Sequence, residues 1–200
     1  MNTSGYTITK KQKTDITQIL VTTGIILILS AIFIPIFLLS PFQAQFYRPE
    51  GTWVFEAPKS AYLTFSIGLA AVGVFIILGV WMKSAEKFGW FGKVFVGAGF
   101  LISLLMAILS FDYYHYIDKN GVHFNTLLSL QEKHYEWLEI QQARQTVINK
   151  MGVMSDDELI FTFSDGTAYS FQLNDNIRKA RIATYYELEE QGVELIRETD

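Results

Sequence analysis

The chain has 200 residues with 16 Lys and Arg, 20 Asp and Glu, a net charge of -4 and no cysteine, which excludes disulfides, thiolate metal sites and cysteine catalysis. Residues 1–111 hold 8 of the basic but only 4 of the acidic side chains, leaving residues 112–200 with 8 basic, 16 acidic and all three histidines. So acidic a second half lacks the clustered basic surface that phosphate backbones require, and nucleic acid is not expected as a partner.

Residues 1–15, with Lys10, Lys11 and Lys13, read as a short cytoplasmic tail. No charged residue then occurs between Asp15 and Arg48, and residues 16–39 read ITQILVTTGIILILSAIFIPIFLL. A helix of that length crosses a hydrocarbon core of about 30 Å with room for tilt. The stretch is too long for a signal peptide and lacks a small-x-small cleavage site, so it is expected to stay as an anchor. Pro35 removes the hydrogen bond to the Ala31 carbonyl and predicts a kink, and Gln18 is read as an interfacial amide. Two further apolar runs, over residues 60–82 and 94–111, complete a predicted three-helix transmembrane region spanning 16–111.

None of these spans contains an ionisable residue, which argues against an ion or substrate pathway. Gly99, Ser103 and Ala107 recur every four residues, as do Thr64 with Gly68 and Ser66 with Ala70. Small residues at that spacing let helices approach closely in lipid, within the bundle or, alternatively, in self-association or docking on another membrane protein. Lys83, Lys87 and Lys93 lie in the second connection and Lys10, Lys11 and Lys13 in the tail, against Arg48 and Lys59 in the first. The positive-inside rule then puts the N-terminus in the cytoplasm, and an odd number of spans sends the C-terminal domain outward. Aromatic residues including Phe42, Tyr47, Trp53, Phe55 and Tyr113 mark one interface, and Trp81, Phe88, Trp90 and Phe91 the other.

From residue 112 the pattern changes to short β-type segments. FDYYHYI over 111–117 leads through Asn120-Gly121, a hairpin signal, into VHFNTLLSL. HYEWLEI over 134–140 reads as one strand, with Tyr135, Trp137 and Glu139 on one face as core or as an interaction surface. Residues 145–151 follow, and then a clear hairpin, ELIFTFS and TAYSFQL around Asp165-Gly166. Asn174 or Asp175 caps a helix with an apolar stripe of Ile177, Ala180, Thr184 and Leu188, ending at Gly192. The fold class is thus a multi-span helical membrane region followed, over 112–200, by a small α+β domain in which a helix closes an antiparallel sheet.

The Tyr135-x-Trp137-x-x-Ile140 segment, the Phe-x-Phe-x-Asp-Gly-Thr hairpin at 161–167 and the terminal helix resemble the bacterial pleckstrin-homology-like domains attached to small membrane proteins of Gram-positive bacteria. The resemblance covers roughly 111–191. It implies a strongly bent antiparallel sheet plugged at one end by a helix, serving interaction or oligomerisation without catalysis. Such domains are often held in the cytoplasm, against the outward placement from the loop charges. The sheet also falls short of the full strand count, so it is expected to be truncated or completed by a partner strand.

No catalytic set, cofactor site or metal spacing stands out. His115, His123 and His134 fit no metal motif, although His115 and His123 flank a hairpin and could meet as a metal or pH-sensitive pair. Asp156, Asp157 and Glu158 read as an acidic turn without the glycine and distal glutamate of a calcium loop. Glu136 and Glu139 lack a pocket that would set acid and base roles, and no nucleophile motif is present. The acidic run Glu187, Glu189, Glu190, Glu194 and Glu198 disfavours docking of that face on anionic lipid. The expected function is a non-catalytic, membrane-anchored interaction or scaffold protein whose partners are the bilayer and another membrane protein or itself, with an accessory subunit of a transporter or envelope enzyme as the alternative.

Overall fold

The computed structural model describes residues 15–85, 89–129, 131–150 and 153–199. Residues 1–14 of the expected tail, and Lys87 and Phe88 of the second connection, lie outside them.

Helix α1 (Ile16–Ser30) starts at Asp15, whose carboxylate accepts the Thr17 N–H at 3.0 Å, the usual N-cap arrangement. Helix α2 (Ile34–Tyr47) follows at 72° to it, so the run expected as one span is broken. Proline explains the break: Pro35 has no N–H to bond the Ala31 carbonyl, and in the first turn of α2 none is needed. After β1 (Val54–Glu56) come α3 (Lys59–Ala85) and α4 (Trp90–Leu109). Two of these helices are long and apolar enough to cross a membrane, three spans if the bent pair counts as one. The chain is membrane-associated.

Glycines bring the helices together. A Cβ on Gly73 of α3 would lie 2.5 Å from the Gly24 carbonyl of α1, and one on Gly68 would lie 2.8 Å from the Ala107 nitrogen and 2.9 Å from the Ser103 carbonyl of α4. A Cβ on Gly99 would overlap the Phe75 ring. The stripe of Gly99, Ser103 and Ala107 is therefore an α3–α4 seam inside this chain, with Ser103 and Ala107 buried.

Among the described residues there are two four-stranded sheets, built mainly from the C-terminal part. Sheet A runs β1, β2 (His115–Asp118), β3 (Gly121–Phe124), β4 (Lys133–Glu136), all antiparallel. Sheet B runs β7 (Ala168–Gln172), β6 (Val153–Phe163), β5 (Ile140–Lys150), β8 (Leu195–Thr199), with β8 parallel to β5. The core lies between them: Val54, Ile117, Val122, Phe124 and Tyr135 from sheet A meet Leu159, Phe161, Phe163 and Phe171 from sheet B. Helix α5 (Asp175–Glu190) closes it with Ile177, Ala180 and Leu188, and its cap Asn174 accepts the Asn176 and Ile177 N–H groups.

Three features differ from the expected layout. The domain does not begin at residue 112, because its edge strand β1 comes from the connection between α2 and α3, with Val54 opposite Ile117 and Phe55 opposite Tyr116. The segment 134–140 is no single strand, because a 3-10 turn at Trp137–Glu139 carries the chain from sheet A to sheet B. Here Glu139 accepts the Glu136 N–H at 2.8 Å and stabilises the turn. The acidic tail ends in β8, which pairs with β5.

Candidate functional site

The outer face of sheet A carries a cross-strand row built by register alone. Phe55, Tyr116, His123 and His134, one from each strand, stand opposite one another. Ring centroids are 6.1 Å apart for Phe55 and Tyr116, 4.2 Å for Tyr116 and His123, and 4.1 Å for His123 and His134, the last two pairs nearly parallel. Tyr114 and Tyr47 extend the stack toward the helices. Cross-strand pairs of this kind are the unit of sheet stabilisation.

Glu132 ties the row together. Its carboxylate accepts the Tyr114 and Tyr116 hydroxyls at 2.8 Å each and faces His123 Nδ1 at 3.1 Å. Burial works to raise this carboxyl, but the hydrogen bonds from His123, Tyr116 and Tyr114 outweigh it and hold the group below the usual carboxylate value. The other ring nitrogen of His123 faces Asp118 Oδ1 at 3.3 Å. Only the imidazolium donates to both carboxylates at once.

His115 and His123 do not meet. Side chains alternate across a strand, so His115 points to the inner face with Ile117 while His123 points outward with Tyr116. The histidine pair that the register creates is His123 with His134. Among the described residues no group of three or more His, Asp or Glu side chains is arranged to hold a metal ion.

Tyr135 and Trp137, considered as an interaction surface, are buried in the core, while Glu139 is half-buried in the turn. Trp137 stacks on Trp53 at 5.9 Å and its indole N–H donates to the Lys119 carbonyl at 3.2 Å. Asp156, Asp157 and Glu158 lie inside β6 and form no turn. Asp156 pairs with Arg197 at 2.6 Å and Arg181 at 3.3 Å. Burial raises its pKa, but the Arg197 hydrogen bond and the two guanidinium charges hold it below the usual carboxylate value.

Where the domain meets the helices, sequence reasoning passed over Gln43. It is fully buried in α2 and donates to the carbonyls of Ser110, Phe111 and Tyr113 at 3.2, 3.1 and 2.9 Å. These carbonyls belong to the turn that follows α4, where the Ser110 carbonyl also accepts the Tyr113 N–H at 3.3 Å. The signal was available as an uncharged amide in an apolar run.

Beside that seam lie two cavities of about 400 and 380 Å³. Both are lined by Pro58, Lys59, His115 and Gln172, so they adjoin as one trough between the start of α3 and the β6–β7 side of the domain. The larger also takes in Ser40 and Tyr62 from the helices and Asn174 and Arg178 from the start of α5. His115 sits at its wall, 3 % exposed, with Nδ1 at 3.0 Å from the Tyr169 hydroxyl and Nε2 without a partner. Burial pushes its pKa down to about 3, so the ring is neutral.

Comparison with known proteins yields no matching family model, no matching curated protein and no matching solved structure.

Proposed function

We propose that the protein is a membrane-anchored, non-catalytic interaction or scaffold protein that presents a pleckstrin-homology-like domain at the bilayer surface. The observation that carries this reading is β1. A strand supplied by the connection between two apolar helices is the edge of the domain's own sheet, so the domain is fixed to the helices at both of its chain entries. It holds its outer surface at a set height and orientation, which suits contact with a second membrane protein or a second copy of itself. Two four-stranded sheets closed by helix α5 support the pleckstrin-homology-like assignment, with β1 supplying a strand from outside 112–200.

In this reading the protein crosses the membrane three times with its N-terminus in the cytoplasm. The residue 48–58 connection and the domain share one end of the bundle through β1, and Lys83 and Lys93 stand at the ends of α3 and α4 away from it. Lysines on the far side agree with an outward domain. Cysteine placed at exposed Lys119 in this cysteine-free chain should react with a membrane-impermeant maleimide on intact cells; protection until lysis contradicts the outward placement.

The function itself is tested by crosslinking in native membranes followed by purification and mass measurement. A homo-oligomer, or a complex with another membrane protein crosslinked through the domain, is expected. A stable complex with one large polytopic protein through α1 and α4 alone favours the accessory-subunit alternative, and a monomer without crosslinks contradicts both.

A further inference from the structure

The side of α5 turned away from the core carries an ordered pattern. Ile182 and Tyr186, one turn apart, are each 69 % exposed. Arg178 and Lys179 precede them, Glu189 and Glu190 follow, and all four are exposed. At about 100° per residue the six side chains fall within about 120° of one another, opposite the buried stripe of Ile177, Ala180, Thr184 and Leu188. Along the helix this face is basic, then apolar, then acidic.

The charges are not spent inside the chain. Arg178 meets Asp175 at 3.9 Å with both groups largely exposed, and among the described residues Lys179, Glu189 and Glu190 form no ion pair. Their order also runs against the field of the helix itself. The end of α5 holds Glu187, Glu189 and Glu190, and no basic residue lies in its last turn, whereas the partial negative charge of a helix C-terminus favours cations there. A neighbouring helix laid antiparallel would bring cations to that end.

The spacing decides which helix fits. Arg178 and Glu190, Lys179 and Glu189, and Ile182 and Tyr186 stand in pairs at equal distances on either side of the level of Thr184. A face with this symmetry is complementary to itself when a second copy is turned end for end, which is the condition of a two-fold interface. Lys179 then meets the partner's Glu189, and Ile182 the partner's Tyr186. Parallel packing would instead set Lys179 on Lys179 and Glu189 on Glu189.

We propose that two copies of this protein associate through α5, packed antiparallel on the face formed by Lys179, Ile182, Tyr186 and Glu189. The proposal rests on the reading of the protein as a membrane-anchored interaction module, and names the surface and the partner. Anchoring both copies in one bilayer raises their effective concentration, so that a contact of one helix pair can hold.

Full-length chains carrying single cysteines and different tags are co-expressed, and disulfides are formed by mild oxidation in isolated membranes. Ile182→Cys in one copy is expected to link to Tyr186→Cys in the other, and Lys179→Cys to Glu189→Cys. Two copies of Lys179→Cys should not link, because antiparallel packing sets those positions about 15 Å apart along the helices. Charge reversal tests the pairing itself. Lys179→Glu, or Glu189→Lys, should lower the yield of the link between Ile182→Cys and Tyr186→Cys about fivefold, and both reversals together in every copy should restore it. The melting temperature should not change in any of these, since the positions are exposed. Links between like positions, or a yield indifferent to the reversals, overturn the proposal. Capture of a different protein by the α5 cysteines assigns the face to another partner and overturns the second copy. A homo-oligomer crosslinked only elsewhere contradicts this interface and leaves the scaffold reading in place, whereas a monomer contradicts both.

Discussion

The helical region and the domain treat apolar surface in opposite ways. On α4, Leu101, Ile102, Leu105 and Ile108 are each more than half exposed, at 64, 59, 54 and 56 %, a surface that would aggregate in water and suits lipid. In the domain Phe161, Phe163 and Phe171 are fully buried between the sheets. The first region is held by close backbone approach at glycines, because lipid tails offer no hydrophobic drive between helices. The second is held by apolar burial from water. Where they join, neither device suffices, and the junction uses a buried amide on three backbone carbonyls and a shared strand.

The largest effect is expected from a substitution in the domain core beside β1. Trp137→Ala removes a buried indole, its stack on Trp53 and its hydrogen bond to Lys119. A loss of about 3–5 kcal/mol is expected in denaturant titrations of the detergent-solubilised protein, with the helical signal of α1, α3 and α4 retained. Loss of both signals together would mean that the two regions fold as one unit.

Acid should separate the regions next. His115 is neutral when folded, with a pKa near 3, and its unfolded value is 6.5. The unfolded chain therefore binds more protons between those values, and stability falls as pH drops from about 6.5 toward about 3. Glu132, whose pKa is lowered by its three donors, contributes stability above the ordinary carboxylate value that is lost as pH falls through its lowered one. His115→Phe should flatten the upper part of this acid limb and leave the Glu132 part, as followed by thermal unfolding against pH. An unchanged profile contradicts the buried neutral histidine.

In the helices the corresponding test is Gly73→Val, whose side chain would press on the Gly24 carbonyl and Ile28. Overpacking of this kind costs about 1–3 kcal/mol and should lower the melting temperature while leaving the acid limb in place. Gln43→Leu is expected to cost least, about 1–2 kcal/mol, by withdrawing a donor from three carbonyls. Its readout is faster hydrogen exchange at the end of α4.

What the sequence revealed follows the range of the forces involved. The hairpin around Asp165-Gly166 and the stripe of Ile177, Ala180, Thr184 and Leu188, all buried in α5, are written in local periodicity and turn chemistry. So is the break near Pro35. The strands β1 and β8 are not, because each is short and pairs with residues about 50 or more positions away. The turn at Trp137–Glu139 was hidden because HYEWLEI alternates like a strand while its chain changes sheets. The outer row of Tyr116, His123 and His134 depends on register, and the trough beside His115 on how the domain meets α3; neither has a local signature. Only the buried Gln43 offered a hint, as an amide without a reason to be in lipid.

That the connection between α2 and α3 belongs to the domain's sheet decides how the two regions are joined. Hydrogen exchange of the full-length protein in nanodiscs tests it through the Trp53 amide, which donates to the Ile117 carbonyl at 2.9 Å. Protection of Trp53 comparable to that of β2 is expected, with both lost together in Trp137→Ala. Exchange of Trp53 and its β1 neighbours at the rate of an open loop, while β2 and β3 stay protected, would contradict it.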